Sequence, residues 1–338
     1  MSVLRDCPLK ERVQPHELRG QRWLITGGAG FIGSHLTDHL LGEAAANCVT
    51  LFDDFSSGRQ WHYEQHANDP RLKVIRGDVA DQAALRTAMA GHDVVIHLAS
   101  NAGTGRAALD PDIDFRGGTL LTREVLEAMR LTGVSRILFA SCGGVYGDLG
   151  ELELNEDHGP LDPTSPYAAN KLASEALISA YCHTFGMTGC ALRFDNVVGP
   201  RQWQGVGVDF VRHLIENPRR LRIPGNGLQN QSHLHVDDLV NAFLLAHERT
   251  ETAYRVYNVA AGDAITVAEI ARIAIDTLGI YSGLVELVYG GELSCYGESP
   301  RLDTQRIRAL GWNCSRATAD ALRDSMLAHL ADAQVARP

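Results

Sequence analysis

Short apolar runs alternate with longer stretches of helical periodicity through the first part of the chain. The apolar runs cover 22–26, 48–52, 72–75, 93–98, 136–140 and 188–193, each of strand length. Between them, 31–41, 81–90, 117–132 and 166–185 repeat apolar positions at helical spacing. Strand and helix in alternation predict an α/β fold, a doubly wound parallel sheet with helices on both faces. Val94–Leu98 and Ile137–Ala140 are nearly continuous in apolar residues, which suits central strands buried on both faces.

After Gly199-Pro200 the pattern loosens. Loops rich in Gly, Pro and Arg surround short helices through Gly227. A helix from Val236 into His247, a strand at Val256–Val259 and helices over 266–278 and 318–330 follow. This predicts a loose polar arm over 1–19. Residues 20–194 with 231–259 form a nucleotide-binding domain, and 195–230 with 260–332 a smaller, interwoven α/β substrate-binding region.

Charge and cysteine usage narrow the functional classes. The net charge is −10 with no basic block, so nucleic acid and anionic membrane are poor partners. An anionic small ligand remains compatible, because single Arg residues and helix N-termini can hold it. Nothing resembles a signal peptide or a membrane span. Seven Cys, an odd number without Cys-x-x-Cys, predict a reduced, cytoplasmic protein with neither structural zinc nor a disulfide framework. Cys182 and Cys190 read as packing residues.

The first apolar run, Arg22–Thr26, leads straight into Gly27-Gly28-Ala29-Gly30-Phe31-Ile32-Gly33 and then a helix. A glycine turn lets backbone N–H groups approach phosphate oxygens, and the helix start adds partial positive charge. The next strand ends in Asp53-Asp54, about 20 residues past Gly33, where a carboxylate can bind a ribose diol and repel a 2′-phosphate. NAD is therefore expected over NADP, with Arg59 the nearby cation that could accommodate that phosphate. Three further strand ends converge on the same sheet edge. Asp78 and Val79 are placed near the adenine, and Leu98 and Ala99 near the nicotinamide ribose. Ser141 to Gly147 are small enough to leave room for a sugar. His97 reads as a satisfied core histidine without a catalytic role.

Tyr167 and Lys171 lie four residues apart on a predicted helix and so share a face. With nine Tyr and only three Lys, chance places about 0.08 such pairs in the chain. An ammonium beside the phenol favours phenolate, fitting Tyr167 for acid–base work near neutral pH. Lowering a phenol from about 10 to about 7 takes roughly 4 kcal/mol.

The chain resembles the extended short-chain dehydrogenase/reductases, and among them the NAD-dependent nucleotide-sugar epimerase/dehydratase family. The shared motifs are Thr26-Gly-Gly-Ala-Gly-Phe-Ile-Gly33, Gly77-Asp78, His97-Leu-Ala99, Tyr167-x-x-x-Lys171, Leu192-Arg-Phe-Asp-Asn-Val-Val-Gly-Pro200 and His235-Val-Asp-Asp238, in family order. The resemblance leans toward UDP-galactose 4-epimerases in Leu98-Ala-Ser-Asn101 and Gly205-Val-x-x-Asp-Phe210. It implies a Rossmann-type fold, a tightly held NAD, a nucleoside diphosphate sugar (commonly UDP) as substrate, and a homodimer. By the same resemblance Lys171 holds the nicotinamide ribose, Asn196 contacts substrate, and Arg301, in Glu298-Ser-Pro-Arg301, contacts phosphate. Arg193 and Arg201 are further candidates for the diphosphate, and Gln229 for the substrate.

Dehydratases and decarboxylases of this family carry acidic residues just before Val-Tyr-Gly, where this chain has Gly143-Gly144. Glycine transfers no proton, so 4-epimerisation through a 4-keto sugar is the favoured expectation. A dehydratase or decarboxylase outcome and a non-catalytic NAD-binding regulator are the alternatives. Three departures stand out. The family's Ser/Thr partner of the Tyr falls at Cys142, a weak donor, leaving Cys142 or Ser141 to serve. Gly118 replaces an Asn common in the family, and Gln231 an Arg.

Overall fold

A computed structural model describes residues 18–334 apart from 43, 45, 102–109, 111, 151 and 291–298. Most of the expected arm, and Glu298, lie outside the described residues.

The strands are β1 (Arg22–Thr26), β2 (Cys48–Asp53), β3 (Leu72–Arg76), β4 (Val94–His97), β5 (Arg136–Ala140), β6 (Glu153–Leu154), β7 (Thr188–Phe194), β8 (Asn196–Val198), β9 (Arg220–Ile223), β10 (Asn230–Gln231), β11 (His233–His235), β12 (Tyr254–Val259), β13 (Ile265–Thr266), β14 (Glu286–Tyr289) and β15 (Arg301–Leu302). The helices are α1 (Phe31–Leu41), α2 (Gln82–Met89), α3 (Asp112–Phe115), α4 (Leu121–Thr132), α5 (Pro166–Phe185), α6 (Val206–Glu216), α7 (Val236–Arg249), α8 (Val267–Thr277), α9 (Gln305–Arg308) and α10 (Thr318–Gln334).

Seven strands form one parallel sheet in the order β12-β7-β5-β4-β1-β2-β3, a Rossmann-type arrangement. The chain leaves β1 toward β2 on one side and reaches β4 on the other. That reversal opens a crevice at the strands' carboxyl ends. β4 is buried along its whole length, as its nearly continuous apolar run predicts. One face packs α1 and α7 through Leu36, Leu40, Leu239 and Phe243. The opposite face packs α2, α4 and α5 through Leu85, Val125, Met129 and Ile178.

A separate apolar cluster joins α6, α8 and α10 to β9, through Phe210, Leu214, Leu221, Ile270, Ala274 and Leu322. A fourth, around Val145, Tyr146, Leu154, Ala260 and Leu302, lies where the two layers of structure meet.

The catalytic-helix candidate, α5, starts sharply. Ser165 Oγ accepts from the Ala168 N–H, and Pro166 fills the first turn, where no N–H is needed. One helical stretch differs from the periodicity. The expected helix over 117–132 begins earlier, at α3, and passes through a π-helical turn, Arg116–Leu120, before α4. Thr119 Oγ1 in that turn donates to Asn170 Oδ1 of α5 at 2.5 Å. The wide turn, a form that concentrates at functional sites, therefore abuts the Tyr/Lys helix. Among the described residues, no helix is long and apolar enough to cross a membrane.

Candidate active site

Eleven of the residues expected to hold a dinucleotide line one cavity of about 270 Å³. They are Gly27, Gly30, Phe31, Ile32, Gly33, Asp53, Asp54, Asp78, Val79, Leu98 and Ala99. The glycine turn is tight for a steric reason. A Cβ on Gly33 would lie 2.6 Å from the Gly28 carbonyl oxygen, and Gly27 has a φ of +69° with Ala99 N 2.9 Å from where its Cβ would be. α1 opens at Gly30 with no side-chain cap, leaving its first N–H groups for an anion. Asp53 Oδ2 accepts from the Ala29 N–H at 2.9 Å and Oδ1 from the Phe55 N–H at 2.8 Å. Its carboxylate is thus aimed at the cavity wall where a ribose diol would sit. Burial pushes the Asp53 carboxyl up, partly offset by those two bonds. Arg59 packs over the Trp203 ring at 5.9 Å, and Trp203 reaches the cavity from the loop before α6.

Tyr167 and Lys171 are not among this cavity's lining residues; the pair adjoins it through Ser100. The Tyr167 phenol hydrogen-bonds Ser100, itself in the cavity wall. Lys171 Nζ is buried, donates to the Ala140 carbonyl at 2.8 Å, and lies 5.5 Å from the Tyr167 ring centroid. The ionisation differs from the expectation. Burial, helped by Cys142, Asp114 and Asp195, pushes the phenol well above its ordinary value. Burial also pulls Lys171 down to about 8, against the opposing pull of Cys142 and Glu175. The physical reason is desolvation: both groups sit where charge is poorly solvated, and the ammonium is committed to a backbone carbonyl.

A protein-family model, described as the NAD-dependent epimerase/dehydratase family, matches residues 23–260. The chain belongs to that family. The family chain is 32% identical to a dTDP-glucose 4,6-dehydratase of Streptomyces griseus over 303 residues, 88% of this chain and 91% of the relative. It is 35% identical to a UDP-glucose 4-epimerase of Mycolicibacterium smegmatis over 232 residues, 67% of this chain and 72% of the relative. A dTDP-glucose 4,6-dehydratase double mutant from Streptomyces venezuelae, crystallised with NAD, superposes with a TM-score of 0.85 at 28% identity, covering 93% of this chain and 98% of that one. NAD is the cofactor of the family, and the uncapped helix, glycine turn and Asp53 fit it here.

The family member's remaining site residues divide into those brought together and those drawn away. Arg301 lines a second cavity of about 570 Å³, together with Asn230, Ser232, Ser299 and Pro300. Asn196 Nδ2 donates to Ser299 Oγ at 3.3 Å, so it stands at the same cavity. Gln229, one residue from Asn230, donates to Asn226 Oδ1 at 3.2 Å.

Two arginines are elsewhere. Arg193 is buried and pairs with Glu175 through two bonds of 2.9 and 2.7 Å, beneath the Tyr146 ring. Arg201 pairs with Asp38 of α1 and donates to the His62 carbonyl at 2.8 Å. Each guanidinium is already paired with a carboxylate, and the Arg193 Nη1 that Glu175 leaves unpaired is buried, so neither is presented to a diphosphate.

Ser141 is also occupied: its hydroxyl donates to Glu175 Oε1 at 2.5 Å. Cys142 lies against the Val145–Leu302 cluster, and burial pushes its thiol up to about 11. His97 bridges Thr26 Oγ1 at 2.8 Å and Thr122 Oγ1 at 3.2 Å, buried and held near 3, in keeping with a core histidine. Cys182 and Cys190 are buried free thiols in the two sheet-face clusters.

Sequence reasoning missed Ser100, Asp114, Glu175, Asp195 and Trp203. Glu175 had a signal, lying four residues past Lys171 on the same helix face. Asp195 had one too, two residues past Arg193 along an extended chain. Trp203 had none, since its place depends on how a loop crosses the sheet edge.

Proposed function

We propose that the chain is an NAD-dependent 4-epimerase of a nucleoside diphosphate hexose, with UDP sugars the first candidates. The observation that carries the choice is at Gly143. A Cβ there would lie 2.9 Å from Pro300 Cγ and 3.4 Å from Leu302 Cδ1. Position 143 therefore offers neither an acid nor the room for one, and elimination of water lacks a proton donor where the family places it.

Bound NAD supplies the acceptor and donor of a hydride. The chain's own residues handle the proton and the pose. Tyr167 exchanges the proton of the sugar 4-hydroxyl. Lys171 sets the charge beside the phenol, and a cationic nicotinamide would add to it. Arg301 and Asn196, at the second cavity, are placed to bind the diphosphate and the sugar. Residues 195–230 with 260–332 would then be the sugar-nucleotide lobe. A homodimer would pair the α4 and α5 faces, where Leu131 and Phe185 are exposed.

Dehydration is the second reading, favoured by the length of the match to the Streptomyces griseus relative. The test is NMR of UDP-glucose, UDP-glucuronate and dTDP-glucose after incubation with NAD-loaded protein. A C4 epimer, abolished by Tyr167→Phe, supports epimerisation. An accumulating 4-keto-6-deoxy sugar supports dehydration instead.

A further inference from the structure

The cofactor cavity takes its wall from one part of the chain, with a single exception. Its other lining residues fall between Gly27 and Leu121, whereas Trp203 comes from the loop between β8 and α6. α6 packs with α8 and α10 in an apolar cluster separate from those on the parallel sheet. An indole is mostly apolar surface, yet this one is 37% exposed beside the cavity. A bound dinucleotide would take that surface out of water, which favours the contact.

The loop that carries Trp203 is anchored on both flanks. Before the ring, the Pro200 carbonyl accepts from His35 Nε2 of α1 at 2.9 Å, and Arg201 pairs with Asp38 of the same helix while donating to the His62 carbonyl. Arg201 is held at a φ of +68°, a conformation that a residue other than glycine adopts at a cost and that these contacts sustain. Gln202 Oε1 accepts from Ser325 Oγ of α10 at 2.7 Å, and the Trp203 carbonyl accepts from Arg212 Nη2 of α6 at 2.5 Å. The backbone on either side of the ring is therefore fixed to α1 and to the α6–α10 layer together.

Arg59 braces the ring. Its guanidinium carbon lies 5.9 Å from the Trp203 centroid, within the range of a cation–π contact. The arginine is itself fixed beside the glycine turn, its N–H donating to the Ala29 carbonyl at 3.1 Å and its Nη1 to the Gly58 carbonyl at 3.0 Å. Among the described residues no carboxylate pairs with it, so its charge is left to favour an anionic ligand nearby. It is not a lining residue, and it meets the cavity through the ring.

We propose that Trp203, braced by Arg59, covers bound NAD and slows its exchange with free NAD. Trp203 makes the contact, and Arg59 is a positioning residue that acts through it. The inference rests on the cofactor of the family and holds whichever reaction the site performs. Retention of NAD is then set in part by a loop tied to the α6–α10 layer, in addition to the glycine turn and Asp53.

The test is exchange of isotopically labelled NAD into NAD-loaded protein, with tryptophan emission as a second readout. Trp203→Ala is expected to exchange about tenfold faster or more, because the cofactor no longer buries an indole. Trp203→Phe keeps an aromatic face and should stay within about threefold of wild type. Arg59→Ala should speed exchange about two- to fivefold, the worth of an exposed cation–π contact. Adding NAD to cofactor-stripped wild type should quench tryptophan emission, and Trp203→Phe should lose most of that quench although Trp23, Trp61 and Trp312 remain. If Trp203→Ala does not fold, Trp203→Gln carries the exchange measurement.

A wild-type exchange rate in folded Trp203→Ala or Trp203→Gln overturns the proposal. A wild-type quench in Trp203→Phe overturns it as well, even where exchange is faster in Trp203→Ala, because the ring then shapes the loop without meeting the cofactor. Neither readout needs a sugar substrate, so such a failure is separate from any failure of the epimerase reading.

Discussion

Glu175 of α5 and Arg193 of β7 form a bidentate ion pair, 2.7 and 2.9 Å, with both side chains at or below 5% exposure. The same carboxylate accepts the Ser141 hydroxyl from the end of β5. One buried anion therefore ties the Tyr/Lys helix to two strands, two turns below the phenol. Two bonds from Arg193 and one from Ser141 offset much of the desolvation of the carboxylate, while Arg193 Nη1 stays buried without a hydrogen-bond partner.

Removing one partner leaves the other charge buried and alone. Glu175→Gln is expected to cost about 3–5 kcal/mol in urea unfolding, whereas Glu175→Leu with Arg193→Met should cost much less. A stability loss below about 1 kcal/mol in Glu175→Gln would show that the pair is not holding α5 to the sheet.

Lys171 predicts a pH dependence of stability. Its folded value is about 8 against an ordinary 10.5. Between those values the unfolded chain binds more protons than the folded one, so stability rises with pH across that window. Below about 8 the penalty is constant, roughly 3 kcal/mol at about 1.4 kcal/mol per unit. Lys171→Met loses the bond to the Ala140 carbonyl, worth about 1 kcal/mol, so a net gain of about 2 kcal/mol at pH 7 is expected in NAD-free protein. That gain should vanish at about pH 9.5 and become a net loss approaching about 1 kcal/mol by pH 10.5, alongside lost turnover. A variant less stable than wild type at pH 7 would contradict the assigned burial cost.

Much of this molecule could be read along the chain because its signals are local. β4 announced itself as four buried residues in a row, and the Gly27–Gly33 turn needed only its neighbours to be recognised. Tyr167 and Lys171 are one helical turn apart. The readings that changed depend on contacts between distant residues. Arg201 meets Asp38 across 163 positions, and Arg193 meets a helix 18 residues back. The phenol's resistance to ionisation comes from burial, which no spacing of residues reports. The π-helical turn at Arg116–Leu120 hides inside an ordinary-looking helical stretch, since one wide turn changes the periodicity too little to see.

Asp53 predicts how the cofactor is selected. Its carboxylate is fixed by the Ala29 and Phe55 N–H groups and sits in the cavity wall. Asp53→Ala should weaken NAD binding by about 1–3 kcal/mol, a tenfold to hundredfold loss by calorimetry, because a charged hydrogen-bond acceptor disappears. NADP binding should fall less or improve, since the repulsion of a 2′-phosphate also goes. Equal losses for both dinucleotides would mean that Asp53 supports the turn without reading the ribose.

Gly143 makes the sharpest distinction between the two reaction types. Its missing side chain is matched by the Pro300 ring, 2.9 Å from where a Cβ would stand, and a ring fixed to the backbone yields poorly. Gly143→Ala is expected to destabilise by about 1–3 kcal/mol through overpacking and to raise KM for the nucleotide sugar, because the Ser299–Arg301 wall of the second cavity must shift. Gly143→Asp should do the same and yield no 4-keto-6-deoxy product from dTDP-glucose, since the new carboxyl is crowded out and cannot point at the sugar. If Gly143→Asp instead folds with full stability and eliminates water, the wall is more yielding than its geometry indicates. The site would then be one substitution away from dehydration, and the choice of epimerisation would lose its structural basis.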